Sequence, residues 1–338
     1  MSGTQPSLSL VVIGRNEGAR LARCLQSVKA IRGWDGEIEL IYVDSGSTDG
    51  SCGIARSFGA RVVELQSERP SAALGRNAGW RTARAPVVLF LDGDTVLDPD
   101  FPAHAAKTLA DPRVAVVFGR RRELHPEASI YNRVLDLDWI AAPGPAQYCG
   151  GDALMRRAVL EETGGYDNEL IAGEEPDLCR RMRGMGYQIL HVDCPMTGHD
   201  LAMQRWRQYW RRAVRTGHAY AEVAERYAAT PLPLWKAESR ANIKRAAFWV
   251  LLWLGCATAA FLLRSVLPLM FAAALLALMA LRTARRLAWK SPDRWTLFLY
   301  GLHSHVQQIP ILVGQCSYWW GRRRGRRKRL IEYKESPV

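Results

Sequence analysis

The sequence predicts an α/β protein: a mostly parallel sheet with flanking helices, followed by a helical C-terminal part of different character. Three observations carry this prediction. Between Ser7 and about Val192, short apolar runs alternate with helical patterns, as in successive βαβ units. The run Val87-Val88-Leu89-Phe90-Leu91 is apolar throughout, as a strand buried on both faces should be. Ala246 to Leu263 and Val266 to Leu281 carry no charge and are parted only by Arg264-Ser265.

The elements follow in order. Leu8 to Ile13 reads as a strand, and Gly18 to Val28 as a helix with Leu21, Cys24, Leu25 and Val28 on one face. Ile38 to Val43 is a second strand ending at Asp44, and the polar loop Ser45-Gly46-Ser47-Thr48-Asp49-Gly50 can cap the helix after it. Val62-Val63, Val87 to Leu91 and Val114 to Phe118 continue the strands. The fourth strand runs into Asp92-Gly93-Asp94, which puts two carboxylates at its C-terminal mouth, where open α/β sheets bind ligands. Hard divalent cations take oxygen ligands and share their coordination shell with substrate phosphates, so this pair suits a metal-diphosphate site. The same tripeptide is also good turn chemistry. No Gly-x-Gly-x-x-Gly follows the first strand, so a dinucleotide site of that kind is not indicated.

With 338 residues and 48 % apolar composition the chain can bury a substantial core and is not a disordered protein. Its net charge of +13 sits mainly at one end: Arg282 to Val338 hold thirteen Lys/Arg against three Asp/Glu. Seven cysteines lie far apart with no Cys-x-x-Cys spacing, which points away from a zinc knuckle or disulfide framework and towards a reducing compartment. Met1 to Ser7 lacks a basic-then-apolar leader.

The two apolar runs are expected to form a transmembrane hairpin over 246–281. At 1.5 Å per residue they span roughly 27 and 24 Å, enough with snorkelling flanks. Lys236, Arg240, Lys244 and Arg245 precede the hairpin and Arg282, Arg285, Arg286 and Lys290 follow it, which places both ends in the cytoplasm. A single long buried helix of a soluble protein is the alternative. Trp295 to Trp320 mixes His303, His305, Gln307 and Gln308 with apolar residues around Pro310 and reads as an interfacial segment. Nine of the twelve tryptophans fall at Trp206 or later, where a membrane-interface belt would use them. The expected organisation is a cytoplasmic catalytic domain over 1–235, with a cationic aromatic helix near 201–228. The hairpin over 246–281 follows it, then an interfacial and basic segment over 282–338. Its tail Arg322-Arg323-Arg324-Gly325-Arg326-Arg327-Lys328-Arg329 suits anionic lipid headgroups.

Five segments together resemble family 2 glycosyltransferases of the GT-A fold, of the bacterial membrane-anchored type. They are Leu8 to Glu17, Ile41 to Gly50, Gly75-Arg76-Asn77-Ala78-Gly79, Asp92-Gly93-Asp94 and Gly173-Glu174-Glu175-Pro176-Asp177-Leu178, and the resemblance covers roughly Ser7 to His199. Each is weak singly; their order and intervals make them specific. The resemblance implies an inverting transfer from a nucleotide-sugar, UDP- or GDP-linked, with Mg²⁺ or Mn²⁺. It implies nucleotide contacts at Ile13, Arg15, Glu17, Asp44, Ser45, Arg76 and Asp92, with Asp44 nearest the base, and metal ligation by Asp92, Asp94 and His199, with His191 the rival. Gly150, Gly151 and Asp152 would face the sugar and acceptor. Glu175 would be the general base, with Glu174 and Asp177 as alternatives; acidic residues also simply favour a helix N-terminus.

Gln204 to Arg212 is rich in Gln, Arg and Trp but lacks the Gln-x-x-Arg-Trp spacing of processive polysaccharide synthases, which speaks against processivity. The expected acceptor is a lipid-linked or glycan hydroxyl at the inner membrane, as in exopolysaccharide or glycolipid assembly. A polyprenyl phosphate acceptor is the nearest rival. A catalytically silent membrane scaffold, or an anionic-polymer binder acting through the basic tail, are the readings of another class; no nucleic-acid partner is expected.

Overall fold

Among the described residues there are nine strands, the longer of them built from β-branched and leucine runs: β1 (Leu8–Gly14), β2 (Ile38–Asp44), β3 (Arg61–Glu64), β4 (Val87–Asp92), β5 (Thr95–Leu97), β6 (Val114–Glu123), β7 (Gly144–Ala146), β8 (Ala153–Arg156) and β9 (Gln188–His199). They form one sheet in the order β3-β2-β1-β4-β8-β6-β9-β5, with β7 also on β9. Twelve α-helices accompany them among the described residues: α1 (Ala19–Lys29), α2 (Ser51–Ser57), α3 (Ala72–Thr82), α4 (Phe101–Leu109), α5 (Ile130–Asp136), α6 (Arg157–Thr163), α7 (Glu174–Gly184), α8 (Trp206–Arg226), α9 (Lys236–Leu263), α10 (Leu267–Arg286), α11 (Arg294–Val306) and α12 (Gln308–Arg323). The computed structural model describes residues 5–325. The chain divides into two units, one running to Leu124 and again from Trp139 to Leu201, the other holding His125–Asp138 and the chain from Ala202 on.

In the first unit both faces of the sheet are covered. Leu8, Leu10 and Val12 of β1 point to one face, against Leu21, Cys24, Leu25 and Val28 of α1 and Phe101 and Ala105 of α4. Val11 and Ile13 point to the other, packing with α3, α6 and α7 through Ala73, Trp80, Leu160, Leu178 and Met182. The period of two along β1 thus separates two cores. The sheet is mixed rather than mostly parallel: β1, β2, β3 and β4 pair in parallel, as do β6 and β9, while β8, β5 and β7 run antiparallel to their neighbours. Those three strands are only three or four residues long, too short for an alternation to register.

The second unit is helical. α8 buries Tyr209, Ala213 and Gly217, spaced four apart on one face, and packs against α12. Glycines set the closest approaches: a Cβ on Gly217 would lie 2.0 Å from the Ile311 carbonyl oxygen, and one on Gly314 2.1 Å from that of Val214. Gly301 meets the Ala280 carbonyl at 2.2 Å in the same way, which seats α11 on α10. Gly217→Leu is therefore expected to destabilise this unit by about 1–3 kcal/mol through overpacking. A thermal melt of the detergent-solubilised chain would show it as a lowered midpoint, and an unchanged midpoint would mean the crossing is looser than this.

The segment expected to be interfacial forms α11 and α12, and its polar residues turn inward. His303 bonds the Tyr209 hydroxyl at 2.7 Å and lies 3.6 Å from Asp138, while Gln315 donates to Ser239 Oγ at 2.8 Å. The cationic helix near 201–228 is α8, and it folds with this unit rather than with the sheet. α9 and α10 meet at Arg264, whose left-handed φ of 47° closes the turn. Leu251, Leu254, Phe261, Leu262 and Leu263 on α9, and Leu267, Met270, Phe271 and Leu278 on α10, are each at least 60 % exposed. A buried soluble-core helix would hide these side chains, so the single-buried-helix alternative is not what the chain adopts; both helices are long and apolar enough to cross a membrane. The part of the basic tail from Arg326 on lies outside the described residues.

Candidate active site

β4 delivers Asp92 to the sheet's mouth, and the backbone after it is pinned from three sides. Gly93 N donates to the Ile13 carbonyl at 2.8 Å, Thr95 Oγ1 donates to the Asp92 carbonyl at 2.8 Å, and Asp92 N donates to Asp152 Oδ1 at 2.9 Å. A side chain at Gly93 would press on the same Ile13 oxygen, at 3.1 Å, and on Glu17 Cγ. Asp94 follows, 2 % exposed. β5 runs antiparallel to the end of β9, with Thr95 opposite His199, so the sheet carries His199 to Asp94. His199 Nε2 stands 3.3 Å from Asp94 Oδ2, and Trp139 packs its edge on the imidazole at 5.0 Å. Burial, aided by Arg121, holds His199 below the usual imidazole range, so the ring is neutral and keeps a lone pair.

His191 is placed otherwise: it stacks on Phe118 at 4.8 Å and its Nδ1 bonds the Ala142 carbonyl at 3.0 Å. Between the two histidines, only His199 joins the acidic pair. Asp92 turns to the arginines, 2.9 Å from Arg76 Nη2 and 3.5 Å from Arg121 Nη2. Two carboxylates and a neutral imidazole have the donor chemistry of a small divalent cation site. Among the described residues, however, no group of three such side chains is already gathered about one point.

The acidic helix start lies across Arg76. Glu174, Glu175 and Asp177 occupy the first turn of α7, where the helix dipole favours negative charge. Arg76 Nη1 stands 3.0 Å from Glu174 Oε1 and 3.0 Å from Glu175 Oε1. Burial and then the neighbouring Glu174 push the Glu175 carboxyl up to about 7. Asp177 faces away: it is 1 % exposed and paired with Arg181 at 2.9 Å, and the same guanidinium holds the Thr163 and Gly165 carbonyls. It is a bracket for the loop before α7, not a base.

Other expected site residues also have local partners. Asp44 accepts from the Tyr42 hydroxyl at 3.0 Å and from Gly46 N and Ser47 N at 2.9 and 2.7 Å, an Asx turn that shapes the loop after β2. Glu17 is buried and paired with Arg20 at 2.9 Å. Ile13 is buried, Ser45 half-buried and Arg15 exposed beside that loop. Asp152 is turned inward: it is 1 % exposed, and its second oxygen accepts from Thr197 Oγ1 at 2.8 Å. Gly150 is exposed, while Gly151 is buried because a Cβ there would lie 2.3 Å from Arg76 Nη2.

Sequence reasoning missed Arg121, Thr197 and Trp139. Arg121 of β6 reaches Asp92 and, at 3.4 Å, Asp152, and lies 5.0 Å over the Trp139 ring. Its signal was the triple Arg120-Arg121-Arg122 at a strand end, where alternation turns one arginine inward.

The profile of glycosyl transferase family 2 matches residues 9–164, the span that holds β1, the acidic pair and the loop at Gly151. Glycosyltransferase AglE of Haloferax volcanii is 24 % identical over 200 residues, 56 % of this chain and 65 % of its own. The family match covers just under half of the chain, which over that span is similar to glycosyl transferase family 2. A second relative of the chain is the pre-mycofactocin glycosyltransferase of Mycobacterium tuberculosis, 27 % identical over 245 residues, 67 % of this chain and 49 % of the relative. The chain thus spans about half to two thirds of the length of these curated relatives. Its fold is shared with the mannosyltransferase PcManGT from Pyrobaculum calidifontis, solved in complex with GDP-Man and Mn²⁺. The TM-score is 0.64 at 21 % identity, over 94 % of this chain and 88 % of that one. The expected GT-A-like architecture is therefore the fold of this chain.

Proposed function

We propose that the chain transfers a sugar from a nucleotide-sugar to an acceptor hydroxyl at a membrane, with inversion at the anomeric carbon and a divalent cation at Asp92, Asp94 and His199. The observation that carries this reading is the meeting of two acidic groups at one sheet mouth. Asp94 beside a neutral His199 is suited to a cation, and Glu175, raised to about 7, is suited to take a proton near neutral pH. The family and the fold shared with a GDP-Man and Mn²⁺ complex support a nucleotide-sugar donor.

The residues divide the work. Asp94 and His199 hold the cation, which when bound neutralises charge developing on the diphosphate leaving group. The loop organised by Asp44, next to Ile13, Arg15 and Glu17, receives the nucleoside. Glu175 accepts the proton of the acceptor hydroxyl as its oxygen attacks the anomeric carbon and the nucleoside diphosphate departs. One displacement without a covalent intermediate inverts the configuration. The exposed apolar faces of α9 and α10, with arginines flanking the pair, fit a hairpin that anchors the chain in the inner membrane, and a lipid-linked or glycan acceptor suits an enzyme anchored there.

Donor screening of the detergent-solubilised chain tests this directly. Nucleoside-diphosphate release is expected from one class among UDP-, GDP- and TDP-sugars, and only with Mg²⁺ or Mn²⁺ present. Release from none of them, or release that ignores a chelator, would end the proposal. The anchoring is tested separately: after a carbonate wash the chain is expected to stay in the membrane pellet, and quantitative release into the supernatant would refute the hairpin.

A further inference from the structure

We infer that Arg76 is a positioning residue that ties the cation side of the site to the base side and touches neither donor nor acceptor. The inference rests on the proposed glycosyl transfer and departs from the nucleotide contact expected for Arg76 from its motif. Three observations carry it. Arg76 is 2 % exposed, which leaves no surface for a nucleotide. Its two terminal nitrogens are taken by carboxylates from opposite sides of the mouth: Nη2 by Asp92 at the end of β4, Nη1 by Glu174 and Glu175 at the start of α7. The space around it is shaped for a guanidinium, with the Tyr166 ring beneath it at 5.6 Å and Gly151 above, where any Cβ would strike Nη2.

The backbone is arranged to bring it there. A Cβ on Gly79 would lie 2.2 Å from Val11 Cγ1 and one on Gly75 3.3 Å from Ile13, so the glycines of α3 let that helix press on the sheet and aim Arg76 at the strand mouth. Asn77 fixes the far side, donating to the Tyr166 carbonyl at 2.7 Å and accepting from Tyr166 N at 2.9 Å. A guanidinium is a rigid planar fork that can serve two carboxylates at a set angle; a lysine ammonium is a single point of charge and cannot. The separation between Asp92 and the Glu174/Glu175 pair is therefore set by one side chain. Around Glu175 the other facing groups are Glu174 and Asp92, which disfavour its charge, so Arg76 is also the cation that keeps a proton from binding it too tightly.

The test compares Arg76→Gln and Arg76→Lys with the wild-type full chain in nucleoside-diphosphate release, together with calorimetric titration by GDP plus Mn²⁺. For Arg76→Gln, kcat is expected to fall about a hundredfold, the scale of a misplaced general base. The acid limb of its pH profile should move up by about one unit or more, while donor KM and the GDP·Mn²⁺ affinity stay near wild type. Arg76→Lys should lose kcat but keep the acid limb near its wild-type position, because charge remains and the fork is gone. A rise in donor KM or a loss of GDP·Mn²⁺ binding with kcat preserved would make Arg76 a direct ligand and overturn the inference, as would wild-type kcat in Arg76→Gln. Should Arg76→Gln fail to fold, Gly151→Ala presses a Cβ on the same guanidinium and on the Asp92 carboxylate it holds, without removing either; its kcat is expected to fall with the melt intact, and wild-type kcat there overturns the inference too. Wild-type turnover of the donor, measured first, separates failure of the underlying function from failure of this assignment, which appears only in the variants.

Discussion

Asp94→Asn is expected to lower turnover by about 10³ or more, some 4 kcal/mol of transition-state stabilisation. The substitution is nearly isosteric, and the fold around it is held by the backbone: the Asp94 carbonyl accepts from Asp200 N at 3.0 Å, and β5 pairs with β9 from the next residue on. What Asn removes is the charge. A neutral amide beside a neutral His199 makes a poor ligand for a hard cation, so the apparent affinity for Mn²⁺ should fall together with the rate. The measurement is nucleoside-diphosphate release against Mn²⁺ concentration, with a melt to show the protein folded. Unchanged turnover with an unchanged ion requirement would remove the cation from the mechanism. His199→Ala should likewise raise the Mn²⁺ concentration needed. His191→Ala, which loses only the Ala142 bond and the Phe118 stack, should lower the melting point and leave the ion dependence alone.

That the acidic pair at the strand end is legible in the sequence, and the partners of Arg76 are not, is a matter of range. Val87 to Leu91 declares a buried strand by composition, and the acidic pair after it lies at a strand end by simple counting. The helical pair at 246–281 is legible for the same reason, since long uncharged runs have few alternative structures. Arg76 lies in a recognisable segment, but nothing local says that its guanidinium turns from solvent to carboxylates 16 and 98 residues away. From the sequence, Asp152 is expected to face the sugar and Asp177 to be an alternative base, because the motifs that carry them lie at the site. The structure gives them the inward tasks of pinning Asp92 N and holding Arg181. The histidine and glutamines of 295–320 looked interfacial because apolar neighbours left their polarity unexplained, and the partners of His303 and Gln315 at Asp138, Tyr209 and Ser239 are more than seventy residues distant. Burial of a polar side chain is a statement about its partner, and a single sequence carries no pairing information at that distance.

Glu175→Gln carries the second large effect, a fall in kcat of about 10²–10⁴, the usual contribution of a positioned general base. The pH dependence follows from the direction of its shift. A carboxyl raised to about 7 is protonated below that value and cannot accept the acceptor's proton, so kcat/KM should rise with pH up to about 7 and level off above it. In Glu175→Gln the residual rate should lose that limb. Glu174→Gln should do less: both carboxylates stand 3.0 Å from Arg76 Nη1, but the Glu174 side chain is 6 % exposed against 15 % for Glu175, so its loss disturbs the neighbour without removing the base. The same variant separates the two acceptor chemistries. A polyprenyl phosphate oxygen is already an anion and needs no base, so a Glu175→Gln enzyme with nearly full activity would identify that acceptor in place of a hydroxyl. Severe loss, with the acid limb gone, means that the group attacked by Glu175 carries a proton that must leave before the new glycosidic bond can form.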